Sequence, residues 1–462
     1  MREVNTVFQK GLAIGLRPSE SIGTTTEHLS TCYNVVPDGY GLKARNDVVN
    51  PLDVALDWPW PALYVLSHKT LMFTRNAVFL VGDDWNLTHL FSADWGSLPH
   101  FADFMTTVVW STTSGQWMMV GDSVIPITDA QFKTCCNLRG QLIVANGSIL
   151  NGPERDMSLP DTPIKMTAEV SGENMVAWSK IGSIDWTFSL SNEVGWAPMP
   201  WHGGVLGLAS LSGDVVVYGE NGIAKLQPIS KPTVTFGIKD FGDVGVLNAN
   251  CFAGDDSIQV FLGTDYNLYK IIPEKALSDD GKRPALLGYS EYLEKLRDPI
   301  ITYDPIDRHW WIGDEHTCYI YTEAGLGEAS ITPTHLGRLD GVLLGCFSIH
   351  GSNQAIVETG ALSFDSRGIK TLMCVEADIA TPFQAYGYTS SNYHYRAQMR
   401  RGKNIRLDPR GAFFPILAGV EFKIAVVCED FHNFQLYKLW FHHKNTDKTF
   451  SRGVINAGRP GQ

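Results

Sequence analysis

The residues here whose types could do chemistry are acidic pairs, a histidine pair and scattered cysteines. The acidic pairs are Asp83-Asp84, Asp255-Asp256 and Asp279-Asp280. A general acid and base need two carboxylates that converge across a cleft in different environments. Neighbours on a strand point to opposite faces, and aspartates in turns accept backbone N–H groups, so these pairs are expected to be turn residues. Asp279-Asp280-Gly281 also lacks the alternating ligand series of a calcium loop. His442-His443, with Asp447 nearby, would put its two rings on opposite faces of a strand, where they cannot readily share one metal. The 8 cysteines include no CxxC pair, so neither a zinc ribbon nor a thioredoxin-like site is suggested. They are expected to be reduced thiols, in or near the core, of a protein that folds in a reducing cytoplasm. Walker A, GxGxxG, GxSxG and HExxH motifs are absent. No catalytic residues, metal or cofactor are assigned, and the chain is expected not to be an enzyme.

The 13 tryptophans offer a different chemistry, since indole faces stack on sugars and bases. Trp178, Trp186, Trp196 and Trp201 fall close together and form a candidate surface aromatic patch. The competing expectation is that they are buried between packed sheets. Ser183-Ile184-Asp185-Trp186 only superficially echoes the Ser-x-Asp-x-Gly-x-Thr-Trp turn of glycoside-cleaving propellers, and no catalytic role follows from it.

The elements that must position these residues are short strands. Gly 44 and Pro 23 punctuate the chain often, and the aromatic share of 11% favours strands over long helices. One pattern recurs in six copies, over 67–81, 113–127, 138–150, 211–226, 254–269 and 304–321. Each has a polar turn, an apolar or aromatic strand, a second Gly/Asn/Asp turn and another strand. Glu220-Asn221-Gly222 and Ala145-Asn146-Gly147 are expected turns, because Asn and Gly reach φ > 0 cheaply. A lone hairpin cannot bury its apolar face, so repeated hairpins must stack or close. Ring closure also protects the sheet edges. The expected fold is therefore all-β, a β-propeller-like array of hairpins with an accessory β module; a pair of β-sandwiches is the alternative. The expected organisation is an extended N-terminal segment over 1–57, the propeller-like domain over 58–350 and a C-terminal β module over 351–462. One helix is expected around 289–297, stopped at Asp298-Pro299.

With 462 residues and 44% hydrophobic content, the chain can bury a large core. It shows no apolar stretch of signal-peptide type and no run long enough to span a membrane. The net charge of -12 argues against wrapping nucleic acid, and is compatible with simple solubility or with lining a passage through which DNA slides without sticking. Against that background Arg396, Arg400, Arg401, Lys403, Arg406 and Arg410 make a locally basic stretch.

Three regions carry a resemblance to a known family. One runs from Ser183 through Trp201 into Gly204–Ile223, where a tryptophan-rich stretch leads into a Val-Val-Val-Tyr strand. Another comprises Asp408-Pro-Arg-Gly-Ala-Phe-Phe-Pro, Gly419-Val-Glu-Phe-Lys-Ile and Asp447-Lys-Thr-Phe-Ser-Arg-Gly. The third is Cys32-Tyr-Asn-Val-Val-Pro-Asp-Gly-Tyr-Gly-Leu-Lys-Ala-Arg. Together they resemble the propeller-bearing tail nozzle of tailed bacteriophages, also called tail tubular protein B. The resemblance implies a structural virion protein of the tail, assembled in the host cytoplasm. It implies a homo-oligomeric ring, usually a hexamer, below a tail adaptor ring, with a distal channel through which genomic DNA passes without specific binding, and surfaces that dock fibre or spike proteins. On this reading Arg396, Arg400, Arg401, Arg406 and Arg410 form an intersubunit contact with acidic neighbours. This chain is shorter than the best-known short-tail nozzles, so the resemblance does not extend to their extra fibre-docking domains or to an exact station in the tail. The alternative function is a receptor- or glycan-binding propeller of the tail tip that uses the tryptophan patch.

Overall fold

Twenty-four of the strands form six four-stranded antiparallel blades, each running through the chain in simple order; five are separate sheets and the sixth is the first part of a ten-stranded sheet. The computed structural model describes residues 5–8, 15–16, 28–52, 54, 56–66, 69–104, 106–149, 170–187, 193–229, 235–273, 283–364, 368–393 and 398–445. Blade 1 spans Ala62–Val65 to Leu87–Ser92, blade 2 His100–Phe104 to Ser123–Pro126, and blade 3 Ala130–Leu138 to Gly195–Pro198. Blade 4 spans Val205–Leu211 to Thr235–Gly242, blade 5 Phe252–Gly254 to Ala285–Gly288, and blade 6 Ile300–Asp304 to Leu326–Ala329. Each hairpin copy read from the sequence falls in a different blade, so the array is a six-bladed β-propeller.

The turns follow from their residues. Arg139-Gly140 and Ser212-Gly213 join adjacent strands with positive φ at both positions, the pattern of a type I′ turn whose twist matches the strands it links. Asp84, Asp255, Asp265, Asp304 and Asp314 each accept the backbone N–H two residues on. These are the turn roles expected of Asp83-Asp84 and Asp255-Asp256, whereas Asp279-Asp280 lie outside the described residues. Ala145-Asn146-Gly147 is a correction: it is a bulge inside the strand Gln141–Ile149 and not a turn. Asn146 does take φ 58°, but a Cβ on Gly147 would lie 1.9 Å from the Gln131 carbonyl oxygen, so the neighbouring strand runs straight past it. The expected helix shrinks to Ser290–Leu293, because burial of Leu293 and Leu296 in the core fixes only one turn.

Blade faces pack on one another to make the core. Cys135 and Cys136 alternate across the first strand of blade 3, one turned toward blade 2 and the other toward blade 4. All eight cysteines are buried and free. Trp95, Trp110, Trp117, Phe73, Phe101 and Tyr64 interlock at largely edge-to-face and tilted angles between blades 1 and 2. Blades 4 and 5 meet where Phe252 stacks on Tyr218 with centroids 4.4 Å apart.

Blade 6 does not close directly on blade 1. A segment made of two short hairpin pairs, Ile331–Pro333 with Phe347–Ile349 and Gly337–Leu339 with Val342–Leu344, is inserted between them. Leu336 N–H donates to Thr302 Oγ1 of blade 6 (2.8 Å), and Thr334 Oγ1 donates to the Pro61 carbonyl at the start of blade 1 (2.7 Å).

The accessory module is a two-sheet sandwich. Its first sheet continues outward from blade 6 through a parallel bridge, Tyr33 to Glu328, into Leu29–Tyr33, Ala355–Thr359, Glu421–Cys428 and Ala385–Asn392. The second is built on the long pair Lys370–Ile379 and Gln435–Asn445. Strands from the N-terminal region, Asn5–Phe8, Leu29–Tyr33 and Leu42–Ala44, pair with C-terminal ones. Residues 1–57 are therefore not a separate extended segment: their described strands complete the C-terminal sandwich, whose apolar faces need them.

At Gly207 a Cβ would meet the Phe252 ring at 2.1 Å. Gly207→Val should displace that ring from Tyr218 and destabilise the protein by about 1–3 kcal/mol, read as a lower denaturant midpoint at unchanged m-value.

Candidate functional site

The first strand of every blade lies innermost, so six inner strands surround one axis. The space they leave is a cavity of about 540 Å³. It is lined by residues of every blade, among them Tyr64, His100, Cys135, Leu208, Phe252 and Tyr303, together with His335 and Leu336 of the inserted segment. Leu98, Pro99, Ile300, Thr334 and Leu336 of its lining are buried, whereas Pro305 and Arg338 are exposed and form a rim.

His100 crosses the axis. Its Nδ1 lies 2.8 Å from Thr134 Oγ1 of blade 3, and its ring meets Phe252 of blade 5 edge-on at 5.9 Å. His335 lies against Tyr64 with centroids 4.2 Å apart. Burial lowers the pKa of each histidine to about 4, with His100 partly offset by a hydrogen bond to the Ala249 backbone. Both imidazoles are neutral at physiological pH. Asp255, which follows the lining residue Gly254, has its carboxylate engaged: it accepts from the Tyr303 hydroxyl (2.7 Å) and from Ser257, and against partial burial these bonds hold its pKa down. Polar groups with no hydrogen-bond partner among the described residues also face the cavity. These are the hydroxyl of Tyr64, the imidazole of His335, the side-chain amide of Asn250 and the Oε1 of Gln259.

The tryptophans do not form a surface patch. Trp178 and Trp186 are buried in different core clusters, and Trp178 Nε1 donates to the Glu193 carbonyl (2.8 Å). Trp201 lies half-buried over the Gly219–Gly222 turn, where a Cβ on either glycine would strike the indole. Trp196 alone of the four is exposed. The tight packing between blades consumed the faces that a binding patch would need.

Of the basic residues, Arg396 lies outside the described residues. Arg400, Arg401 and Arg406 sit on two short strands along the open edge of the sandwich sheet, and Arg410 on the turn that follows; all four are exposed. Arg401 stacks over Tyr388 at 3.8 Å, and Arg406 pairs with Glu429 at 2.8 Å. Arg400 and Arg410 point their guanidinium groups at solvent with no partner among the described residues. His442 and His443 lie on opposite faces of their strand: His443 is buried and stacked on Phe364, while His442 lies 3.3 Å from Glu376.

Tyr64, His100 and His335 carry no local signal in the sequence. Only the ring brings them together, since 271 positions separate Tyr64 from His335.

The molecule is an all-β protein: a six-bladed propeller with an accessory β-sandwich. No family model matches the chain, and no curated protein matches it. Among solved structures it is similar to the WD40 domain of Neurospora crassa Pan2, at 10% identity and TM-score 0.35, over 64% of this chain and 85% of that one. It is also similar to Citrobacter koseri AztD, at 10% identity and TM-score 0.33, over 63% of this chain and 90% of that one. The blade topology itself defines the fold.

The axial histidines set a pH dependence. Above pH 6.5 they are neutral in both folded and unfolded chains and contribute nothing to it. Between pH 6.5 and 4 the unfolded chain takes up protons that the native state does not, so stability falls as pH drops, by at most about 1.4 kcal/mol per pH unit for each histidine. Urea midpoints measured from pH 7 to 4.5 should fall, and His100→Gln with His335→Gln should flatten the fall. His309 of blade 6, also lowered to about 4, leaves a residual slope. An unchanged slope in the double variant would show that these two rings do not control it.

Proposed function

We propose that this chain is a structural subunit of a bacteriophage tail, one member of a closed ring of identical copies that forms the distal DNA channel and presents surfaces to an adaptor and to fibre or spike proteins. The observation that carries the reading is the segregation of charge. Residues 351–462 hold 14 Lys+Arg against 9 Asp+Glu, a net charge of +5 within a chain whose total is -12, which leaves -17 on residues 1–350. The positive charge is concentrated on the open edge of the sandwich sheet, at Arg400, Arg401 and Arg406, with Arg410 beside it.

Like charge on that edge repels the same edge of another copy, but an acidic propeller attracts it. Such a contact joins two different faces, and a heterologous contact repeated around a rotation axis closes a ring. The resemblance read from the beginning, middle and end of the sequence points to the same use. The propeller axis itself has no room for a DNA duplex, because His100 of blade 2 and Phe252 of blade 5 lie with ring centroids 5.9 Å apart. On this reading the DNA lumen is the space that several subunits enclose, and acidic propeller surfaces along it would discourage sticking. Among the described residues no helix is long and apolar enough to cross a membrane.

Mass photometry and negative-stain microscopy of the purified chain, alone and with tail partners, test the proposal. A closed ring is expected. It should weaken as ionic strength shortens the Debye length below about 8 Å, and Arg400→Glu with Arg410→Glu should reduce it to monomers that keep their thermal midpoint. Monomers under every condition, tail partners included, would overturn the reading.

A further inference from the structure

We propose that the axial cavity is a binding site for a neutral saccharide, entered beside the exposed Pro305 and Arg338. The argument starts from groups whose hydrogen-bonding capacity is unused. Tyr64 and Gln259 are 6% and 4% exposed, yet the Tyr64 hydroxyl has no partner among the described residues and Gln259 Oε1 has none either. The Gln259 amide nitrogen is held by the carbonyls of Asp255 (3.0 Å) and Ser210 (3.4 Å), which fixes the orientation of its free oxygen. The His335 imidazole and the Asn250 amide add a donor–acceptor pair each, also unpartnered among the described residues. Buried polar groups of native proteins are almost always hydrogen-bonded, so the buried, unpaired Gln259 Oε1, with three more polar groups free to bond around the same space, calls for an occupant. The volume, about 540 Å³, lies within the range of small-molecule sites and far exceeds that of a single water.

The chemistry of the lining selects the class of occupant. Phe252, which stacks on Tyr218, lines the cavity and meets the His100 ring at 72°. Aromatic rings suit the C–H surface of a pyranose ring, while amide, phenol and imidazole groups match its hydroxyls. Among the lining residues Arg338 is the one Asp, Glu, Lys or Arg, and it is exposed at the rim, so a charged ligand deeper in would be buried without a counter-ion. The tryptophan-rich segment plays no part, because Trp178 and Trp186 are in the core. The inference does not depend on ring formation.

Saturation-transfer NMR and titration calorimetry on the full chain test it, with glucose, galactose, mannose, N-acetylglucosamine, maltose, cellobiose and lactose as probes. Glucosamine and glucuronic acid serve as charged controls, and thymidine and adenosine as neutral heteroaromatic ones. At least one neutral saccharide should bind. Its affinity should drop about five- to tenfold in Tyr64→Phe, the equivalent of one lost hydrogen bond, and similarly in His335→Leu, whereas Trp196→Ala should leave it unchanged. The charged analogue of the sugar that binds should bind at least tenfold more weakly. Three outcomes would overturn the proposal: no saccharide bound at about 10 mM, affinity indifferent to both cavity variants while their thermal midpoints are native-like, or nucleosides bound in preference to sugars.

Discussion

Everything in this fold depends on the need of each blade for two neighbours. A four-stranded antiparallel sheet has two faces, and here the residues of both faces are apolar, as Cys135 and Cys136 show by serving two different clusters from adjacent positions. Such a sheet is stable only when both faces are covered, and a row of them must close. The ends of the row are the difficulty. Many rings could be closed by a shared blade, but here the chain inserts the segment around Thr334–Leu336, hydrogen-bonded to both flanks. Ile300 of blade 6 completes the same cluster as Trp60, Ala62 and Tyr64 of blade 1, so the seam is apolar as well as hydrogen-bonded.

Closing the ring with an inserted segment has a consequence for the axis. His335 arrives there from the seam, His100 from blade 2 and Phe252 from blade 5, and they narrow the centre to a cavity of about 540 Å³. The same burial that keeps the imidazoles neutral leaves Gln259 Oε1 beside this space without a partner among the described residues.

The sandwich ties the chain together differently. Its sheet grows out of blade 6 through a parallel bridge, and strands from both ends of the sequence complete it. Propeller and sandwich therefore share one ten-stranded sheet, whose far edge carries Arg400 and Arg401.

The sequence by itself determined the local grammar. Turn residues such as Ser212-Gly213 and Asp255, and the apolar strands between them, marked one hairpin in each of the six blades, because φ > 0 and side-chain alternation are properties of neighbouring residues. The opposite facing of His442 and His443 was legible for the same reason. Asn146-Gly147 shows the limit: positive φ was legible, but whether it served a turn or a bulge depended on the strand alongside, through the Gln131 carbonyl. The fate of the tryptophans, the N-terminal strands and the axial site was decided by tertiary structure alone. Burial of Trp178, pairing of Leu29–Tyr33 with Ala355–Thr359, and the meeting of Tyr64 with His335 join residues far apart in the chain, and no local pattern encodes which distant surface will cover which.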